Sequence, residues 1–201
     1  MIADEIVHNS IPEDRIQFAT TCKAFNQLVK HAKPMKIIRR LRIHCDTTGV
    51  TVYINSGNGR FMTLPELKKI LLQYQVEDLL LYAMGRFSNI LYSELMDLLM
   101  EPCRFLTAFS ITSYDSRFKY VDFYKKLRHL KSLTIYDLTK IIMDLPYFPP
   151  KLELRSEYSL PLLAEKTMNH PLSFLKINGD VPLTDIQQFL MVSYFHILFI
   201  H

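Results

Sequence analysis

Leu130-Lys131-Ser132-Leu133-Thr134-Ile135 places apolar residues at relative positions 1, 4 and 6. The same spacing recurs in Ile38-Arg-Arg-Leu41-Arg-Ile43, Val76-Glu-Asp-Leu79-Leu-Leu81, Leu106-Thr-Ala-Phe109-Ser-Ile111 and Leu172-Ser-Phe-Leu175-Lys-Ile177. A weaker copy, Pro149-Pro-Lys-Leu152-Glu-Leu154, begins with proline. Positions 4 and 6 follow the period of two of a strand, so both point to one face and their neighbours to the other. The residues at position 4 are Leu41, Leu79, Phe109, Leu133, Leu152 and Leu175, which lie 38, 30, 24, 19 and 23 residues apart.

Helical patterns fill the intervals. Thr63-Leu-Pro-Glu66 carries a cap, an early proline and the glutamate of a capping box. Ser93–Met100 stops before Pro102, Tyr120–Leu130 has apolar residues every third position, and Leu160–Met168 ends before Pro171. Thr184-Asp185 opens a last helix. The long first interval is expected to hold a hairpin, with Val50–Ile54 as a strand and Ser56-Gly-Asn-Gly-Arg60 as its turn. Strand, loop and helix repeated in this way resemble leucine-rich repeats, an α/β fold with parallel strands on one face and helices on the other. Another α/β domain with short strands would give the same Leu-x-Leu pairs.

The N-terminal stretch Pro12–Val29 starts with Pro12, Glu13 and Asp14, all suited to a helix N-terminus. Ile16, Ala19, Cys22, Phe25, Leu28 and Val29 then form an apolar stripe on one helix, or on two with a slight break. Periodicity alone reads this as an ordinary core helix. The residue string Pro-Glu-Asp-Arg, small and apolar residues, then Thr-Cys-Lys-x-Phe-Asn resembles the second half of an F-box, and Asp4-Glu5-Ile6-Val7 resembles the end of its opening helix. The likeness covers about Ile2 to Lys30. It departs from the family in two places. No Leu-Pro pair precedes Glu5, because the chain begins at Met1 where that pair would lie, and the late aromatic, often Trp, is Phe25.

The resemblance, nearest to the divergent F-box families of nematodes, implies three parts. Residues 1–31 would be an N-terminally shortened helical F-box, 32–37 a basic linker, and 38–201 a short, irregular leucine-rich-repeat-like β/α solenoid. It further implies a substrate-recognition subunit of an SCF-type cullin–RING ubiquitin ligase. In that role Ile6, Ile11, Pro12, Ile16, Ala19, Cys22 and Phe25 would fall where the family packs its helices and meets a Skp-family adaptor, which joins the chain to the cullin scaffold. The repeats would hold a protein substrate whose identity the sequence does not give. The alternative is a protein-interaction repeat module whose F-box, lacking Leu-Pro, no longer binds the adaptor.

Period two assigns the substrate face. Its residues are Arg40, Arg42 and His44; Asp78, Leu80 and Tyr82; Ser110 and Thr112; Thr134 and Tyr136; Glu153 and Arg155; and Lys176 and Asn178. Arg42, His44, Tyr82, Tyr136, Arg155 and Lys176 are the selected contacts, since tyrosine and arginine dominate interface energetics.

Other chemistry finds little support. Gly57-Asn58-Gly59 is a turn signal without the Gly-Lys-Ser/Thr of a phosphate loop. His44-Cys45-Asp46 cannot converge on one ion if it forms a strand. Three cysteines (Cys22, Cys45, Cys103) without Cys-x-x-Cys suggest buried thiols in a reducing compartment rather than zinc or disulfides. No nucleophile elbow or helical His-Glu-x-x-His is present, so a non-enzymatic chain without cofactor or metal is expected.

Net charge is +4, and the basic run Lys30–Arg42 has no interleaved aromatic for stacking, so it reads as a solvated connector rather than a nucleic-acid site. Asp4 and Glu5 stand where a signal peptide would be basic, and no run of 18 apolar residues occurs. A cytoplasmic or nuclear protein without membrane association is expected. The apolar tail Phe189–His201 is expected to be a buried last helix. Val192-Ser193 is also the pair that read-through of a splice donor encodes, which would make the residues from Val192 onward intron-derived.

Overall fold

Leu41–Cys45 alternates in burial, with Leu41, Ile43 and Cys45 inside and Arg42 and His44 half-exposed, and the same alternation runs through the strands that follow. The computed structural model describes residues 6–7, 10, 12–32, 35–83, 89–113, 120–136, 145–155, 160–168, 172–179, 182–192 and 198–200. Two helices come first, α1 (Pro12–Thr21) and α2 (Lys23–Ala32). Four strands follow: β1 (Lys36–Ile38), β2 (Leu41–Cys45), β3 (Val50–Ile54) and β4 (Arg60–Met62). Next come α3 (Leu64–Leu71), β5 (Tyr74–Val76), β6 (Asp78–Ala83), α4 (Asn89–Leu99), β7 (Ala108–Ser113), α5 (Tyr120–Lys125) and β8 (Ser132–Tyr136). The chain continues through β9 (Lys151–Leu154), α6 (Leu160–Thr167), β10 (Phe174–Ile177), α7 (Leu183–Val192) and β11 (Leu198–Ile200).

The main sheet has the order β11-β10-β9-β8-β7-β6-β2-β3-β4. From β2 through β6 to β11 every pair is parallel, while β2-β3-β4 is antiparallel. The fold is therefore mixed α/β with a mostly parallel sheet, and the expected hairpin fills the long first interval. Position 4 of the six copies forms one continuous register row, Leu41–Leu79–Phe109–Leu133–Leu152–Leu175. Position 6 forms a second, Ile43–Leu81–Ile111–Ile135–Leu154–Ile177. No residue in either row is more than 2% exposed. Helix side chains cover both rows. Leu67 and Leu71 come from α3, Leu95 and Leu99 from α4, Phe123 and Tyr124 from α5, Leu163 from α6 and Phe189 from α7, and all belong to one core cluster.

Glu66 completes the α3 capping box: its carboxylate accepts the Thr63 N–H at 2.8 Å and the Thr63 hydroxyl at 2.9 Å, which holds it below the usual carboxylate range. Tyr124 and Tyr147 clasp each other across a loop. The Tyr124 hydroxyl donates to the Tyr147 carbonyl at 3.0 Å, and the Tyr147 hydroxyl donates to the Leu127 carbonyl at 2.9 Å.

Two expectations are corrected. The stretch 32–37, read as a basic linker, contains the start of β1, which pairs in parallel with β5 ahead of the main sheet. Ile38 is fully buried and anchors this short ladder. The bend that follows is fixed by Asn55, which sits at φ 54°, a left-handed conformation that asparagine tolerates. Its N–H donates to the Arg40 carbonyl at 2.7 Å, and its side-chain oxygen accepts the Arg40 N–H at 3.1 Å. The second correction concerns the apolar tail, which is not one helix. The helix α7 stops at Val192, and Leu198–Ile200 adds a parallel strand to β10. Three apolar residues in extended form satisfy the open edge of β10, where a continued helix would leave that edge unpaired. Residues 193–197 lie outside the described residues.

Among the described residues no helix is long and apolar enough to cross a membrane. Cys22 is exposed, whereas Cys45 and Cys103 are buried. Burial pushes the Cys45 thiol up to about 12 and raises that of Cys103 as well. A maleimide is therefore expected to label Cys22 in the native chain about a hundredfold faster than the two buried thiols. Peptide mass spectrometry of timed samples checks this, and rapid labelling of Cys103 would contradict the packing.

Candidate functional site

The face of the sheet opposite the core gathers the side chains at the alternate strand positions, most of them half-exposed. One register row runs Tyr53–Arg42–Leu80–Ser110–Thr134–Glu153–Lys176. A second runs Thr51–His44–Tyr82–Thr112–Tyr136. Arg155 and Asn178 continue the face just beyond their strands, with backbone N–H groups bonded to Ile135 and Leu154 at 3.0 and 2.8 Å.

Aromatic rings hold the charged groups in place. The Arg42 guanidinium lies over Tyr53 at 5.6 Å, and that of Arg155 over Tyr136 at 4.6 Å. The His44 ring sits between Tyr53 at 5.1 Å and Tyr82 at 4.4 Å. Burial, aided by the Arg42 charge, pushes the His44 imidazole below its ordinary value, so it is neutral at pH 7. Glu153 is the acidic hub. It receives Arg155 at 3.0 Å, Lys176 at 3.4 Å and the Asn178 amide at 3.3 Å. Burial alone would raise its carboxyl, but the Arg155 hydrogen bond and the two cations outweigh that and hold it low. Arg40 pairs with Asp78 at 2.9 Å. Among the described residues, two polar atoms on this face are buried without a hydrogen-bond partner, Arg42 Nε and Thr112 Oγ1, the latter on a residue only 7% exposed.

The six residues selected from sequence, Arg42, His44, Tyr82, Tyr136, Arg155 and Lys176, lie on this one face. Sequence reading missed Tyr53, which supports both Arg42 and His44. The signal was present in Val50-Thr-Val-Tyr-Ile, whose alternation buries Val50 and Val52 and turns Tyr53 toward Arg42. Cys45 points into the core, away from His44, and no group of three or more His, Cys, Asp or Glu among the described residues could hold a metal ion.

The N-terminal helices form a second surface. The apolar stripe does not form the core of the fold. Ile16 is 57% exposed, Ile6 55% and Leu28 39%; Cys22 is exposed, and Ala19, Phe25 and Val29 are half-buried. The Phe18 and Phe25 rings stack at 4.2 Å, which joins α1 to α2 across the break at Cys22. Pro12 opens α1, and Ile11 lies outside the described residues. Arg15 of α1 enters the interior, only 4% exposed, and upstream of α1 Val7 is buried as well. The Arg15 Nη2 donates to the side-chain oxygen of Gln75, a fully buried residue of β5. Burial and the nearby Arg104 push the Arg15 guanidinium below its ordinary value, opposed by Glu77. Glu13 and Lys131 add an exposed ion pair at 3.1 Å.

No family model matches the sequence, and neither a curated protein nor a solved structure matches it.

Proposed function

We propose that this chain is the substrate-recognition subunit of an SCF-type ubiquitin ligase. In this reading α1 and α2 dock on a Skp-family adaptor, which links the chain to the cullin scaffold, and the open sheet face holds a protein substrate. One observation carries the reading: the helix pair is inside out. In α1 Arg15 is buried while Ile16 stands in solvent, and upstream of the pair Ile6 is exposed beside the buried Val7; Ile6 and Ile16 are two of the positions that the F-box likeness assigns to the adaptor. A helix that served only the core would show the reverse, and exposed apolar side chains on a small element favour a docking surface. The mixed sheet, with each strand from β7 onward pairing with its predecessor, supports the finer reading of a short, irregular leucine-rich-repeat-like solenoid.

The mechanism is proximity. The ligase's conjugating enzyme performs the transfer, and this chain raises the effective concentration of a substrate lysine beside it. It contributes no catalytic residue and binds no cofactor. Its partners are proteins in the cytoplasm or nucleus, not a membrane or nucleic acid.

A pull-down with a purified Skp adaptor tests the reading. The wild type is expected to be retained, and Ile16→Asp to lose at least about tenfold in affinity, because a carboxylate would enter an apolar contact. Ile16 is exposed, so the thermal midpoint should hardly move. A wild type that is not retained removes the ligase reading. It leaves a protein-interaction module without adaptor binding, for which the open face is sufficient.

A further inference from the structure

We propose that the open face selects an extended acidic segment of its protein partner, with two carboxylates six residues apart and apolar or aromatic side chains at the two intervening positions on the same side. This rests on the reading of the open face as the substrate surface.

Among the described residues the charges on the face do not cancel, and what remains sits at its two ends. Arg40 is neutralised by Asp78 at 2.9 Å. Glu153 is shared between Arg155 at 3.0 Å and Lys176 at 3.4 Å, which leaves one positive charge at that end. At the other end Arg42 has no ion pair among the described residues, and its Nε is buried without a hydrogen-bond partner. Among the described residues the middle carries no charge. Tyr82, Thr112 and Tyr136 occupy adjacent register positions there, and His44 beside them is neutral at pH 7. Thr112 is the small residue between two rings, and its buried hydroxyl has no hydrogen-bond partner among the described residues.

Distance sets the spacing of the ligand. Arg42 lies on β2 and Arg155 just beyond β9, next to Tyr136 in register, with β6, β7 and β8 between them. Four strand spacings make about 19 Å. An extended peptide crossing the strands advances about 3.3 Å per residue, so six residues span about 20 Å. Six is even, so both acids face the sheet, and the second and fourth residues after the first acid face it too. On the line from Arg42 to Arg155 those two side chains fall between the Leu80–Ser110–Thr134 and Tyr82–Thr112–Tyr136 rows, where aromatic walls favour apolar or aromatic partners.

The test uses the full chain carrying Ser110→Trp. The chain has no other tryptophan, and Ser110 lies between Leu80 and Thr134 at the centre of the face. Random 12-residue peptides are selected by display, and the enriched ones are titrated against the tryptophan emission. Three designed peptides are run beside them, with glutamates six apart, glutamates four apart, and lysines six apart. The six-spaced glutamate peptide is expected to shift the emission and to bind at least tenfold tighter than the other two. Arg42→Gln with Arg155→Gln should remove that tenfold advantage. Enriched peptides that shift the emission without the acidic pair, or equal binding of the three designed peptides, would overturn the inference and leave the face as a protein-binding surface. Enriched peptides that leave the emission unchanged would overturn both.

Discussion

Phe109→Ala is expected to lower the free energy of unfolding by about 3–5 kcal/mol. Phe109 lies on β7 between Leu79 and Leu133 of the adjacent strands, in the buried row that runs through the parallel part of the sheet. Its ring meets Phe123 of α5 edge-on at 5.8 Å. A phenyl ring buries about 150–250 Å², worth about 4–6 kcal/mol at about 25 cal/mol per Å² against the unfolded chain. The vacated space has hydrogen-bonded strands on both sides, so it cannot collapse. Urea denaturation should show the midpoint falling by about 2 M at an unchanged slope, for a slope near 2 kcal/mol/M. A loss below about 1 kcal/mol would mean that the ring does not pack where β7 and α5 meet.

Gln75→Leu is expected to release the N-terminal helices from the sheet. Gln75 is fully buried, and its side-chain oxygen accepts from Arg15. Leucine fills a similar volume but accepts nothing, so the Arg15 guanidinium must stay buried without its acceptor or leave. Losing a hydrogen bond to a charged donor in the interior costs about 2–3 kcal/mol. That cost favours Arg15 swinging into water and taking α1 with it. Hydrogen exchange of the α1 and α2 amides should then rise by about 30- to 150-fold, with β6–β8 unchanged. Arg15→Leu with Gln75→Leu should recover most of the protection, because removing both partners leaves no orphan. Equal acceleration in β6–β8 would sink the idea of a separable helix pair.

These two sites differ in how legible they were. Phe109 belongs to a pattern repeated six times, and each copy states its own burial through a period of two. That is why the two apolar rows, the hairpin after β2 and the shared face of Arg42, His44, Tyr82, Tyr136, Arg155 and Lys176 follow from local spacing alone. Arg15 could not be found this way. A charged residue in the first turn of a polar helix reads as solvated, and only Gln75, 60 residues later, gives it an interior partner. The stripe of Ile16, Cys22 and Leu28 misled for the same reason, since periodicity gives a face but not which side of it the protein occupies. The ladder of β1 with β5 was hidden because three residues are too few to show alternation inside a basic run. In the tail, a continuous apolar stretch has no period to separate helix from strand, and the free edge of β10 decides it.

From β6 onward the strands join the sheet in the order in which the chain is made. A chain leaving the ribosome would therefore meet each new strand's partner already outside the tunnel, about 20 to 30 residues behind it, and assembly could keep pace with synthesis. The newest strand is at every stage the exposed edge, a template for the next strand or for a neighbouring chain. A pause in translation after β7 or β8 would leave that edge open and apolar residues uncovered. Aggregation at such pauses, rather than instability of the finished protein, would then limit how much of it a cell can make.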